Sequence, residues 1–379
     1  NPSPPVTRML RSARGGAARG AFGAARAVLA AWAALVLLGA CVADPAARPD
    51  PSRSSSSGSL APTATGDEPL PTGGTDPQLP ALSILPVGSS EQAITVSGRI
   101  RMYRAYRPAR LTRFAPLVVM LHGGLGSARQ AELAYGWDTL ADREGFVVLY
   151  PDAIGRAWNV GGGCCGMAPA EGIDDVGFVK AAIADLRARV SLDPARTYAA
   201  GMSAGGMMTY RLACDTTLFA AIGPVASTQL GDCPNPAPTS ILHVHGTADT
   251  SVPYDGSRGN GIAQIDGPSV PALHAAWRGY GRCGGDIVAV AGVVTTTTAL
   301  CPEGRTVSLV TIEGSGHAWP GVARTGPLDA SPSSTGTGTG SSPTGTVTPT
   351  VGPSLAPTAD PAAYDTTGAL WAFFKEHGR

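Results

Sequence analysis

"TYAAGMSAGGM" spans Thr197–Met207. A short apolar segment runs into a serine flanked by glycines and then into a helix-forming stretch. A strand that ends in Gly201-Met202-Ser203-Ala204-Gly205 is suited to a sharp turn. Such a turn forces strained backbone angles at the serine and leaves no room for side chains at the flanking positions. It would hold the Ser203 hydroxyl out for reaction. A chain with 50 glycines in 379 residues also produces glycine-rich helix starts by composition alone. The segments around this one separate the two readings.

Those segments alternate in character. "RIRMYRAY" (Arg99–Tyr106) has the period of a half-buried antiparallel strand. "PLVVML" (Pro116–Leu121) is a continuous apolar run, as in a buried strand. A helical stretch around Ala131–Arg143 leads to "FVVLYP", and Asp174–Val190 forms a long helix opened by acidic residues. "TYAAG", a helix from Ala204, "FAAIGPVA", "ILHVHG" (Ile241–Gly246) and "TVSLVTIEG" (Thr306–Gly314) follow. Buried strands separated by helices predict an α/β fold with a mainly parallel sheet flanked by helices. Chemistry in such a sheet sits beyond the carboxyl ends of its strands.

Four strand ends carry reactive or polar residues. "HGGLG" (His122–Gly126) follows "PLVVML", and Ser203 follows "TYAAG". Asp249 follows "ILHVHG", and His317 follows "TVSLVTIEG". The order Ser, Asp, His is that of an α/β-hydrolase triad. The base must be a histidine, whose pKa lets it take and return a proton near neutrality. Of six histidines, His377 is near the chain end and His274 lies in a helical stretch. His243 and His245 share one face of a strand, which suits core or supporting residues, and His122 belongs to "HGGLG". His317 alone occupies a glycine-flanked loop past a late strand. Asp249 would orient its imidazole, with Asp255 and Asp232 as spare candidates. The anionic intermediate of acyl transfer needs two preorganised N–H groups. Ala204 offers one; Gly124, or after it Leu125, offers the other. A metal reading of His243, His245 and Asp249 lacks the ligands to complete a shell, so no cofactor is expected.

Composition adds a leader. Residues 1–41 hold five arginines, no acidic residue and the apolar run "AVLAAWAALVLLGAC" (Ala27–Cys41). This is a secretory signal pattern, too short for a comfortable membrane span of roughly 20 residues. "LGAC" (Leu38–Cys41) resembles a bacterial lipobox, which would lipidate Cys41, tether the protein to the outer face of the cell membrane and exclude other membrane contact. Without the leader, 23 basic residues face 28 acidic ones, a formal charge of −5. That argues against nucleic-acid binding, which needs a basic surface. Six further cysteines in an exported chain suggest disulfides. Sequence proximity favours Cys214–Cys233 and Cys283–Cys301, while adjacent Cys164 and Cys165 either bridge or remain thiols. Residues 42–90 form a Pro/Ser/Thr/Gly stalk, and a second such tract at about 326–361 lies inside the 91–379 domain as a surface-loop insertion. A final helix follows, capped by Asp365 or Thr366, with Leu370, Trp371, Phe373 and Phe374 toward the core.

"HGGLGSA", "GFVVLYPDA", "WNVGGGCCG", "IDDVGFV", "GMSAGGMM", "HVHGTADTSVPY" and "GHAWPG" together resemble the polyhydroxybutyrate depolymerase and feruloyl esterase-like family, within it the actinobacterial lipoprotein esterases. The resemblance covers about Ser97–Gly321 and resumes in "YDTTGALWAFF". It implies an α/β-hydrolase fold and serine esterase chemistry, with Ser203 as nucleophile, Asp249 as acid and His317 as base. The insertion after Gly321 departs from the pattern. Trp158, Asn159, Trp319 and Tyr254 flank the site in these motifs and are the candidate substrate contacts; packing is the alternative for the tryptophans. The partner is then an ester, polymeric or small. The competing readings are a non-catalytic surface-binding lipoprotein on a hydrolase scaffold and a serine peptidase. Sequence leaves the oligomeric state open.

Overall fold

A computed structural model describes residues 84–322 and 360–379. The leader with Cys41, nearly all of the stalk and most of the insertion lie outside the described residues. Among the described residues, ten strands form one sheet in the order β1-β2-β4-β3-β5-β6-β7-β10-β9-β8. They are β1 (Gly88–Val96), β2 (Arg99–Arg107), β3 (Ala115–Leu121), β4 (Val147–Pro151), β5 (Leu192–Met202), β6 (Ala221–Val225), β7 (Ser240–Gly246), β8 (Asp286–Ala291), β9 (Val294–Leu300) and β10 (Thr306–Ile312). The six central strands, β4 to β10 in that order, pair in parallel. Antiparallel strands close each side: β1 and β2 at one, β9 and β8 at the other. The mainly parallel sheet is as predicted.

Six α-helices among the described residues cover the faces: α1 (Ala128–Ala134), α2 (Trp137–Glu144), α3 (Asp175–Arg189), α4 (Ala204–Asp215), α5 (Val270–Tyr280) and α6 (Thr366–Glu376). Strand β3 shows how the layers divide. Leu117, Val119 and Leu121 pack with Phe178 of α3, Met207 of α4 and Leu273 of α5. Val118 and Met120 point the other way, into Trp137 of α2 and Phe374 of α6. Because successive side chains alternate faces, a strand buried on both sides reads as an unbroken apolar run.

Two sequence expectations are corrected. The helix expected over Ala131–Arg143 is two helices, because Gly136 adopts a left-handed φ of 72° between α1 and α2. Leu85 is already buried in the core and β1 starts at Gly88, both before the boundary set at residue 91; residues from Gly88 onward pair one by one with β2. Leu370, Trp371 and Phe374 are buried as expected, and half-buried Phe373 packs against the same core cluster. Asp365 caps α6, accepting a hydrogen bond from the Gly368 N–H. The two sides of the insertion meet where the Gly321 N–H donates to the Ala362 carbonyl at 2.9 Å.

One half-buried carboxyl is expected to make stability pH-dependent. Asp138 in the first turn of α2 accepts a hydrogen bond from the Tyr150 hydroxyl at 2.6 Å. Burial pushes its pKa up to about 7. An unfolded aspartate titrates near 4. The folded state therefore holds a proton that the unfolded chain has released, and stability declines as pH rises through about 4 to 7. Asp138→Asn keeps an acceptor for Tyr150 and removes the charge. Denaturant melts should show little change at pH 4 and a gain of about 1 kcal/mol at pH 8, after discounting for solvent screening.

Candidate active site

Ser203 sits between the last residue of β5 and the first of α4, with φ 55° and ψ −121°. That positive φ is rare for a side-chain-bearing residue and costs about 1–3 kcal/mol. Two ties hold it: the Ser203 N–H donates to the Val225 carbonyl at 2.9 Å, and its carbonyl accepts from Met207. The flanking glycines are obligatory. A Cβ on Gly201 would lie 2.4 Å from the Gly205 carbonyl carbon, and one on Gly205 would lie 2.2 Å from the Leu121 carbonyl oxygen. Gly205→Ala must therefore push α4 off β3. We expect it to lose about 2–3 kcal/mol by denaturant midpoint, together with most of the ester-hydrolysing activity proposed below.

The loop after β3 crosses beside the serine. A Cβ built on Gly123 would be 3.6 Å from the Ser203 Cβ, and one built on Gly124 would be 3.9 Å from the Ala204 Cβ. His122 shapes this loop from below. Its Nδ1–H donates to the Gly123 carbonyl at 2.7 Å, which leaves Nε2 to accept from the Ala153 N–H at 3.1 Å. Burial holds the ring's pKa below its usual value, in keeping with this neutral tautomer. Leu125 is removed as an oxyanion donor, since its N–H is spent on the Arg156 carbonyl at 2.9 Å. Gly124 and Ala204 remain.

On the far side, β7 ends at the Asp249 loop and β10 at the His317 loop. His317 Nδ1 and Asp249 Oδ2 are 2.8 Å apart. The other carboxylate oxygen accepts from the Ser251 and Val252 N–H groups at 2.9 and 2.8 Å. The Asp249 side chain is fully buried, whereas 18% of the His317 side chain is exposed. The carboxylate is thus shielded while the imidazole reaches the surface. Of the spare candidates, Asp255 binds Ser257 and Asp232 is exposed.

The candidate substrate contacts divide. Trp158 is fully buried; its Nε1–H donates to the His122 carbonyl at 2.8 Å and its ring lies against the His122 imidazole. It supports the loop after β3 and does not present a surface to substrate. Trp319 is 4% exposed, packs on Tyr135 and donates to Thr367. Asn159 binds the Ile173 carbonyl through its side chain and the Asp175 carboxylate through its backbone, so it holds a neighbouring loop. Tyr254 lines a cavity of about 530 Å³ with Thr247, Asp249, Arg258 and Asn260. This cavity flanks the Asp249 loop and is not bordered by Ser203 or His317. The disulfides Cys214–Cys233, Cys283–Cys301 and Cys164–Cys165 are all present. Sequence reasoning missed Arg101, which forms a buried ion pair with Asp175 at 2.6 Å beneath Asn159.

The family model "Esterase PHB depolymerase" matches residues 102–268, a span that includes Ser203 and Asp249. A putative esterase from Nocardia uniformis subsp. tsuyamanensis is 30% identical over 265 residues, covering 62% of this chain and 74% of that protein. Feruloyl esterase B from Piromyces equi is 32% identical, covering 54% of this chain and 40% of the enzyme. An acetyl xylan esterase structure from Aspergillus awamori superimposes with a TM-score of 0.47 at 16% identity, covering 60% and 94% of the two chains. The Nocardia protein is matched at 30% identity over about three quarters of its length, and on that ground the chain belongs to the esterase PHB depolymerase family.

Proposed function

We propose that this protein is an exported serine esterase, tethered to the cell surface through a lipid on Cys41. Ser203 Oγ attacks the carbonyl carbon of a carboxylic ester as His317 Nε2 takes its proton. The Ala204 and Gly124 N–H groups stabilise the oxyanion. His317 then protonates the departing alcohol as the C–O bond breaks, and water repeats the sequence to release the acid. Asp249 keeps the imidazole in the required tautomer. The observation that carries this reading is the 2.8 Å Asp249–His317 hydrogen bond, on the loops that follow β7 and β10, strands that run parallel to the one ending in the strained serine.

The substrate classes follow from the family: aliphatic hydroxyacid polyesters, as in PHB depolymerases, and aromatic acyl esters, as in the Piromyces feruloyl esterase. The test is hydrolysis of a hydroxybutyrate dimer and of methyl ferulate by the purified protein, with an organophosphonate to label the nucleophile. Turnover of either ester, with one label per chain on Ser203, is the expected result. A folded protein that hydrolyses neither these nor short-chain esters and takes no label is a binding protein on a hydrolase scaffold. Faster turnover of matched amides than of esters would make it a peptidase.

A further inference from the structure

We propose that His245 is a positioning residue for the Asp249–His317 pair, held in a single tautomer by a buried hydrogen-bond thread that begins at Tyr210 on the nucleophile helix. This rests on the triad proposed above. The thread has four links. The Tyr210 hydroxyl and His243 Nδ1 are 2.8 Å apart, and His243 Nε2 and His245 Nδ1 are 3.0 Å apart. His245 Nε2 lies 2.8 Å from the Val252 carbonyl and 3.4 Å from Asp249 Oδ2.

The direction of every link can be deduced. A carbonyl only accepts, so the hydrogen of His245 is on Nε2. Its Nδ1 must then accept, which places the hydrogen of His243 on Nε2. His243 Nδ1 accepts in turn, and Tyr210 donates. A proton added to His245 would bring two N–H groups face to face at the His243–His245 link. Burial supports the neutral state, since it lowers the pKa of both rings and raises that of the Tyr210 hydroxyl.

The end of the thread is where it acts. Asp249 Oδ2, the atom that receives His317 Nδ1–H, also faces His245 Nε2–H. Val252 is gripped twice: its carbonyl by His245, and its N–H by Asp249 Oδ1. One imidazole N–H therefore fixes both the carboxylate and the turn that carries it. The start of the thread is on α4, whose first residue follows Ser203. The thread thus joins the nucleophile's helix to the acid's loop through the interior of the sheet. An apolar trio of similar volume would pack there with no polar groups to satisfy. Three paired polar side chains instead specify one orientation of the acid.

The test uses the full chain and steady-state ester hydrolysis. His245→Asn keeps a polar group near Nδ1, facing His243, but cannot reach Val252 or Asp249. His245→Gln extends a donor to the Nε2 position. We expect kcat to fall about tenfold or more in the Asn variant with KM within twofold, and the Gln variant to recover most of that loss. Tyr210→Phe removes a single oxygen and should lower kcat about threefold at constant KM. If the Asn variant fails to fold, the Phe variant decides alone: its kcat must lie more than twofold below that of the parent protein, with KM unchanged. The proposal is overturned if kcat in the folded Asn and Phe variants stays within twofold of the parent whatever their melting temperatures, or if Asn and Gln lose activity equally. Ser203→Ala separates the two levels. If it is inactive while the His245 variants are silent, only the positioning role falls; if it remains active, the triad falls and the positioning role with it.

Discussion

Ser203→Ala is expected to lower kcat by about 10⁴-fold or more while leaving stability within about 0.5 kcal/mol. The two parts of this expectation have separate origins. The Ser203 side chain does not cap α4 by a hydrogen bond, so removing Oγ breaks no structural tie. The φ of 55° is enforced by Gly201 and Gly205, which lie against backbone atoms and remain in the variant. Alanine inherits the same strain. The loss is therefore chemical: no hydroxyl remains to form the acyl-enzyme. The rate that survives measures what the Ala204 and Gly124 amides and substrate binding contribute alone. Parallel measurements of kcat and the denaturant midpoint check both parts. A loss under about tenfold would remove Ser203 as the nucleophile.

How far the sequence carried the reading depends on whether a residue's role is local. The strand β3 reads directly from "PLVVML" because burial on both faces demands an unbroken apolar run. Ser203 is legible because the glycines around it answer a local collision. The break at Gly136 was missed because one left-handed residue changes a helix's direction without disturbing apolar periodicity. Strand β1 was missed because its alternation comprises small and polar residues, with little apolar signal. The site shows the same division. Asp174 and Asp175 are adjacent and chemically identical, yet one caps α3 and the other is buried against Arg101, seventy-four positions away in the chain. Trp158 lies in a motif beside the site but faces inward, because its indole N–H closes on the His122 carbonyl. Leu125 is lost as a donor through a bond to Arg156 that no spacing rule indicates. Roles fixed by partners distant in sequence become visible only once the sheet brings them together.

Asp249→Asn should reduce kcat by about 10³- to 10⁴-fold with little change in KM or in fold. The local hydrogen bonds dictate how the carboxamide must sit. Oδ1 accepts from the Ser251 and Val252 N–H groups, so in the variant that position must be taken by the amide oxygen. The NH₂ group is then forced to the place of Oδ2. There it points a donor at His317 Nδ1, which stands 2.8 Å away and must become the acceptor. The hydrogen of a neutral imidazole consequently moves to Nε2, the nitrogen that has to receive the Ser203 proton. The ring keeps its position but holds the wrong tautomer. The same NH₂ group also meets His245 Nε2–H, which had faced an acceptor. A second route to the same structure, in which the amide flips to keep an acceptor at His317, would set its NH₂ against two backbone N–H groups and forfeit both bonds, at about 1 kcal/mol or more each. Nuclear magnetic resonance of the His317 ring nitrogens would read the tautomer directly, alongside kcat. A variant with a full rate would transfer the acid's role away from Asp249. A variant with a lost rate but an unchanged tautomer would show that the carboxylate acts through its charge on the imidazolium instead of by orienting the ring.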